Sequence, residues 1–228
     1  MILELQNITK TYQNSNSTLN VLNNISLKVD SQESIAIVGP SGSGKSTLLN
    51  IIGTLDTEYS GIIKFDNTDI KALTQNKLAE FRNKKIGFVF QQHQLLPQLN
   101  LLGNVLIRTL IIKNQNQKKE AQNRALELIN FVGLTEKTNL YPSQLSGGEC
   151  QRTAVVRALI NNPDVILADE PTGSLDSESA SQVGNLLSFV NQKFNTTLIV
   201  VTHSIELAKK MNKVYKLLNG NLNFEEQF

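Results

Sequence analysis

Gly39-Pro40-Ser41-Gly42-Ser43-Gly44-Lys45-Ser46-Thr47 is the stretch on which the reading of this chain turns. It follows an apolar run, Ser34 to Val38, that reads as a buried strand. It precedes Leu48, Leu49, Ile51 and Ile52, which read as the inner face of a helix. Between a strand and a helix, such a string is a phosphate-binding loop and not a Gly/Ser surface turn. The glycines let the backbone curl with its N–H groups pointing inward, as a nest for anions. The helix beginning near Ser46 adds its positive end and its unpaired N–H groups. Lys45 has the reach for β- and γ-phosphates, and the Ser46 hydroxyl is a ligand for Mg²⁺.

The segment before this loop has antiparallel character. Ile2, Leu3, Leu5 and Ile8 predict a first strand, followed by Thr11-Tyr12 and a polar loop from Gln13 to Asn20. Val21 to Val29 predicts more sheet, broken by a turn at Asn23-Asn24. After the loop helix, a Ser60-Gly61 turn leads into a short strand, Ile62 to Phe65. A further strand, Lys85 to Phe90, ends at Gln91-Gln92. From His93 to about Thr138 the signals are helical: Leu101 to Ile112 is apolar, and Lys118 to Val132 is amphipathic. This strandless region reads as a helical insertion.

Beyond Tyr141-Pro142, Leu145-Ser146-Gly147-Gly148-Glu149-Cys150 leads into a helix over Gln151 to Ile160. Val165 to Ala168 forms a wholly apolar strand that stops at Asp169-Glu170. The pattern then runs helix (Ser179 to Phe194), strand (Thr197 to Val201) and helix (from Ser204), with a terminal hairpin around Asn219-Gly220. Asp169-Glu170 sits at the carboxyl end of a buried strand, where ligands bind in such sheets. Asp169 is the expected Mg²⁺ ligand, and Glu170 is placed to polarise a water in line with a γ-phosphate.

Composition excludes more than it assigns. The chain has 228 residues, enough for one large α/β domain or a core with a smaller subdomain. A net charge of +2, spread along the chain, gives no basic stripe for nucleic acid or anionic lipid. The single cysteine, Cys150, permits no internal disulfide, which fits a reducing cytoplasm. Met1 to Gln6 lacks a basic-then-apolar pattern, so no signal peptide is expected. No apolar run approaches the roughly 20 residues that span a bilayer. A membrane role would come through a partner.

Three motifs together, the loop at 39–46, Leu-Ser-Gly-Gly-Glu at 145–149 and Val-Ile-Leu-Ala-Asp-Glu at 165–170, resemble the ATPase of an ABC transporter. The resemblance runs from about Leu3 to Asn221. It implies an α/β fold, a P-loop NTPase core with a mixed sheet, as one nucleotide-binding domain over 1–228. An antiparallel β part would cover about 1–33 and 60–70, and a helical subdomain carrying the signature about 93–160. It also implies ATP and Mg²⁺. Lys45, Gln91, Glu170 and His203 would form the catalytic set, and Ser46, Gln91 and Asp169 would attend the metal. In register terms, Gln92 competes with Gln91 for that place.

Tyr12 matches the aromatic that stacks on adenine, and Asp176, in Gly173-Ser174-Leu175-Asp176, matches a residue reaching across a dimer interface. Ser146, Gly147 and Gly148 would grip the γ-phosphate of an ATP held by a second copy. Two copies would therefore sandwich two ATPs head to tail. Two departures stand out: Cys150 replaces a Gln or Arg, and Ser204 replaces an Asp.

The strings Phe88 to Pro97, Leu167 to Gly173 and Ala79 to Lys85 place the resemblance among ATPases of lipoprotein release, efflux and cell division, nearest the lipoprotein-releasing ones. The expected role is a motor on the cytoplasmic face of the inner membrane, bound to integral membrane permease subunits, with no direct nucleic-acid partner. The alternatives are a regulatory ATPase that signals across the membrane without transport, and an efflux or importer ATPase. Leu95, Leu96, Leu99, Leu101 and Leu102 are the expected contacts for the membrane partner.

Overall fold

The computed structural model describes residues 1–14 and 17–225. Its centre is a six-stranded sheet built from β3 (Ser34–Val38), β6 (Ile86–Val89), β7 (Val165–Asp169), β8 (Thr197–Thr202), β9 (Lys213–Leu218) and β10 (Asn221–Glu225). The order is β10-β9-β3-β8-β7-β6, parallel throughout except for β10, which pairs antiparallel with β9. Central strands covered on both faces read as unbroken apolar runs, and alternation then decides which core each residue joins. Ala36, Val38, Ile166, Ala168, Leu198 and Val200 enter one core, shared with the helical region. Ile35, Ile37, Val165, Leu167, Ile199 and Val201 enter a second, under the phosphate-loop helix and the antiparallel strands.

Those antiparallel strands form a sheet of their own, in the order β2-β1-β4-β5. Its members are β1 (Leu3–Asn14), β2 (Ser17–Val29), β4 (Ser60–Phe65) and β5 (Thr68–Asp69). The mixed character of the main sheet comes from β10 instead. Several expectations change here. The polar loop from Gln13 to Asn20 is strand: Thr11 pairs with Asn20, Tyr12 with Leu19 and Gln13 with Thr18. Ser15 and Asn16 lie outside the described residues. Asn23-Asn24 is not a turn but part of β2, where Asn24 takes a left-handed φ of 49° beside register shifts in the ladder. Asn tolerates that conformation, and bulges absorb the extra residue. Ser60-Gly61 opens β4 without a turn. A Cβ on Gly61, at φ 95°, would sit 2.5 Å from the Gln6 and Asn7 carbonyl oxygens. Glycine is required by that close approach to β1.

The helices are α1 (Lys45–Ile52), α2 (Gln75–Lys85), α3 (Leu101–Leu106), α4 (Gln115–Phe131), α5 (Gly147–Leu159), α6 (Ser177–Phe194) and α7 (Ile205–Ala208). Sequence periodicity missed α2 because only Leu78 of its residues is buried, so it carries no apolar stripe. The apolar run Leu101 to Ile112 is helical only to Leu106 and continues as a 3-10 turn, Ile107–Thr109. The glycine pair lies inside α5, in its first turn. Ser146 is the N-cap, and its hydroxyl and the Glu149 carboxylate exchange bonds with each other's backbone N–H at 3.3 and 2.8 Å. That reciprocal pair follows from Ser-x-x-Glu spacing and starts the helix four residues before Gln151.

Candidate nucleotide-binding and hydrolysis site

β3 delivers the phosphate-binding loop and α1 leaves it. Gly42 and Gly44 have φ of 78° and 100°, which only glycine adopts freely. A Cβ on Gly39 would meet the Leu217 carbonyl oxygen at 2.3 Å, so β9 and the loop require the bare backbone there. Lys45 is buried, with Nζ donating to the Gly39 and Pro40 carbonyls at 2.9 and 3.1 Å. Its ammonium is thus held over the mouth of the nest. Beside the loop lies a concavity of about 390 Å³, lined by Leu19 to Val21 of β2, Pro40 to Ser43, and the Asn219-Gly220 turn. The Ser43 hydroxyl is buried there with no hydrogen-bond partner among the described residues. A buried hydroxyl of that kind fits a phosphate oxygen.

β7 carries its carboxylates to the same edge. Asp169 accepts from the Ser46 hydroxyl at 3.0 Å. Burial pushes its pKa above the ordinary carboxylate value, opposed by the Ser46 hydrogen bond. Ser46 and Asp169 are oxygen donors with one carboxylate between them, the donor set that suits a Mg²⁺ keeping several waters and substrate phosphates. Glu170, the next residue, has a left-handed φ of 43°, a costly conformation for a side-chain-bearing residue. Three groups hold its Oε2: the Thr202 hydroxyl at 3.1 Å, the His203 backbone N–H at 3.1 Å, and His203 Nδ1 at 2.9 Å. Its other oxygen, Oε1, lies 3.9 Å from Lys45 Nζ. One oxygen anchored and the other turned toward the loop is the arrangement a water-activating base needs. Lys45, Ser46, Asp169, Glu170 and His203 therefore form one connected set.

Gln91 has no hydrogen bond to this set among the described residues and lies beside the Gly173-Ser174 loop. A Cβ on Gly173 would stand 3.1 Å from Gln91 Nε2, and the Ser174 hydroxyl donates to the Gln91 carbonyl at 3.0 Å. Tyr12 stands apart: its ring is exposed, its hydroxyl is 3.4 Å from Asp56 Oδ2, and Lys10 Nζ lies 4.8 Å from the ring centroid. Ser146, Gly147, Gly148 and Asp176 have no hydrogen bond to the phosphate loop among the described residues. They pack on one another's neighbourhood instead. A Cβ on Gly147 would meet Leu175 at 3.3 Å and one on Gly148 would meet Ser179 at 3.0 Å. Asp176 caps α6, accepting from the Ser179 N–H at 2.9 Å, which holds its pKa below the ordinary value.

The two departures prove structurally mild. Cys150 is buried, with Sγ 3.6 Å from the Pro142 carbonyl, and burial pushes its thiol above the usual range. The thiolate that oxidants attack is disfavoured. Ser204 caps α7, accepting from the Leu207 N–H at 3.3 Å, a task that Asp performs equally.

The sequence reading passed over Thr202 as a support for Glu170. Its signal was a polar residue closing an apolar strand just before a histidine. It also passed over Lys10, which is 3% exposed and bonded to Asp56 at 2.9 Å and to the Glu58 carbonyl at 2.6 Å. The leucines named as partner contacts divide differently. Leu101 and Leu95 are buried, whereas Leu96 is exposed. The large groove of about 790 Å³ is lined instead by Leu55, Phe88, Phe90, Ile107 and the arginines 82, 108 and 157.

A family model described as ABC transporter matches residues 22–173. The chain is 45% identical over 221 residues to the lipoprotein-releasing system ATP-binding protein LolD of Bacteroides fragilis, covering 97% of this chain and 100% of that protein. It is 43% identical over 226 residues to the protein of the same name from Pseudoalteromonas translucida, covering 99% and 97%. Among solved structures it is similar to the dimeric bacterial ABC transporter cassette MJ0796, at 39% identity and a TM-score of 0.87 over the whole of both chains. A post-hydrolysis dimer of that cassette, bound to ADP and Pi, gives a TM-score of 0.86 at 38% identity, again with full coverage.

Proposed function

This chain belongs to the ABC transporter family, and from that premise we propose that it is the ATP-hydrolysing motor of a lipoprotein-releasing transporter. The connected set of Lys45, Ser46, Asp169, Glu170 and His203 carries the hydrolytic part of the reading. The phosphate loop binds the polyphosphate through its N–H groups, and Lys45 turns from the loop carbonyls to the β- and γ-phosphates. Glu170, fixed through Oε2, receives the proton of the attacking water at Oε1. His203 holds Glu170 and faces the γ-phosphate. Tyr12 takes the adenine. Ser46 and Asp169, with Gln91 nearby, would hold Mg²⁺, which when bound neutralises charge on the β- and γ-phosphate oxygens.

In this reading 1–228 is one nucleotide-binding domain with an antiparallel part (about 1–33 and 60–70) and a helical subdomain (about 93–160). The signature at Ser146 to Gly148 and Asp176 serve the site of a second copy. The Ser146 hydroxyl accepts a hydrogen bond as a cap, so its own proton stays available for a phosphate oxygen. Integral membrane permease subunits would dock in the groove containing Phe88, Phe90 and Ile107, placing the chain at the cytoplasmic face of the membrane. No helix among the described residues is long and apolar enough to cross a membrane itself. The lipoprotein cargo rests on the names of the 43–45% identical relatives.

Affinity purification of Glu170→Gln protein from detergent-solubilised membranes with ATP tests the assignment. Permease subunits recovered together with lipoproteins are the expected result. A cell-division partner would move the chain to a signalling role. Recovery of ribosomal or DNA-repair proteins alone would overturn the transporter role.

A further inference from the structure

The turn that follows β6 is held by its backbone to an unusual degree. Gln151 Nε2 donates to the Phe90 carbonyl at 3.0 Å, and the Ser174 hydroxyl donates to the Gln91 carbonyl at 3.0 Å. Arg157 donates to the His93 carbonyl at 2.6 Å and the Gln94 carbonyl at 2.5 Å. Four of five consecutive carbonyls thus end on side chains. The donors come from two places only: α5, which begins at the Ser146 cap, and the loop that leads to Asp176.

Side-chain donors on turn carbonyls are ordinary, but two details are not. His93 and Gln94 take consecutive left-handed φ values of 37° and 48°, which persist in side-chain-bearing residues only where the surroundings impose them. The Arg157 guanidinium, set against both carbonyls, is that imposition. Gln151 is 1% exposed, and its Oε1 has no donor among the described residues. An amide that leaves one buried end unpaired would be better replaced by an apolar side chain if stability alone mattered.

We propose that Gln151 and Arg157, assisted by Ser174, are positioning residues that lock the Phe90–Gln94 turn, and with it Gln91, to the helix of the signature. They touch neither nucleotide nor metal; they act through Gln91. Whatever moves α5 relative to the phosphate loop therefore moves Gln91 with it. The inference rests on the assignment of Gln91 to the metal and attacking water.

The test is a double-mutant cycle on ATP turnover by the full chain. Gln151→Leu removes the donor and the unpaired Oε1 together while keeping bulk. The expected loss in kcat is about tenfold, with KM for ATP within about twofold and an unfolding midpoint no lower than the parent's. Gln91→Ala should be slower than that, and adding Gln151→Leu to it should cost nothing further. Ser174→Ala, at an exposed position, should give a smaller loss that also vanishes in the Gln91→Ala background. Additive losses, or a loss matched by a falling midpoint, would overturn the lock and leave Gln91 in place. Normal turnover by Gln91→Ala would remove the Gln91 assignment and the lock with it.

Discussion

The two glycine-rich segments of this chain are built for opposite situations. The loop at Gly39–Thr47 is wired to the chemistry of its own chain: Ser46 bonds Asp169, and Lys45 approaches Glu170. The segment at Ser146–Gly148 is wired only to structure, through the Glu149 capping box and the packing of its glycines on Leu175 and Ser179. One is half of a site, with the proposed metal ligand Asp169 and the proposed base Glu170 beside it. The other is a helix end whose Gly147 and Gly148 N–H groups have no hydrogen-bond partner among the described residues. On the proposed reading the folded chain therefore carries two half-sites that do not bond to each other among the described residues. In the proposed head-to-tail pair, each copy completes the other.

The largest expected effect breaks the first half. Glu170→Gln keeps the shape and the Thr202 bond but removes the base, so turnover should fall about 10²–10⁴-fold. ATP binding should survive, and a long-lived dimer should accumulate on size exclusion with ATP. Near-native turnover would mean that some other group activates the water. Ser146→Ala addresses the second half, with an expected loss of about 10²-fold, the scale of one deleted transition-state donor. Lost capping should lower stability by about 1 kcal/mol as well. In the Glu170→Gln background it should also prevent the ATP-dependent dimer. If Ser146→Ala hydrolyses ATP normally, the segment is a capped helix and the contrast between the halves disappears.

A smaller effect sharpens what holds the base. Thr202→Val removes a donor to a charged oxygen with little change of shape. It should lower kcat about tenfold, and cost nothing more once Glu170 is already Gln. Equal losses in both backgrounds would show Thr202 acting elsewhere.

How much of this was legible beforehand follows the same division. Local spacing announces both glycine segments, the acid pair at the end of β7, and the α/β alternation, because each depends on residues close in sequence. Reading Leu101 to Ile112 as helix was half right, since apolar content sets burial but not where a helix yields to a 3-10 turn. What stayed hidden depends on distant segments meeting. Lys10 becomes buried only because Asp56 and the Glu58 carbonyl arrive 46 and 48 residues later. Gln151 finds Phe90 across 61 residues. α2 gave no periodic signal because one residue of it faces the core. Gln13 to Asn20, at the outer end of the β1–β2 hairpin, carries no apolar alternation; that end is held by the backbone ladder and by the Thr11–Asn20 side-chain bond.

The smallest expected effect concerns the signature end as pure structure. The Lys137 ammonium, then the Ser146 backbone N–H, hold the Glu149 carboxyl below its ordinary value of 4.5. A group whose folded pKa is depressed contributes stability that is fully present above the unfolded pKa and is lost as pH falls through the folded one. Lys137→Met should therefore destabilise by only about 0.5 kcal/mol at pH 7, the scale of a partly exposed pair. That difference should shrink below pH 4.5 and vanish once Glu149 is protonated in both proteins. Cys150, next in sequence, works in the other direction. Its thiol is held above the ordinary 9.0, so above that pH the unfolded chain ionises first and stability falls as pH rises. Urea unfolding of parent and Lys137→Met proteins from pH 3 to 7 reads the acid limb directly. A difference independent of pH would mean that Lys137 contributes packing of its stem instead of charge, and that the cap is held by Ser146 alone.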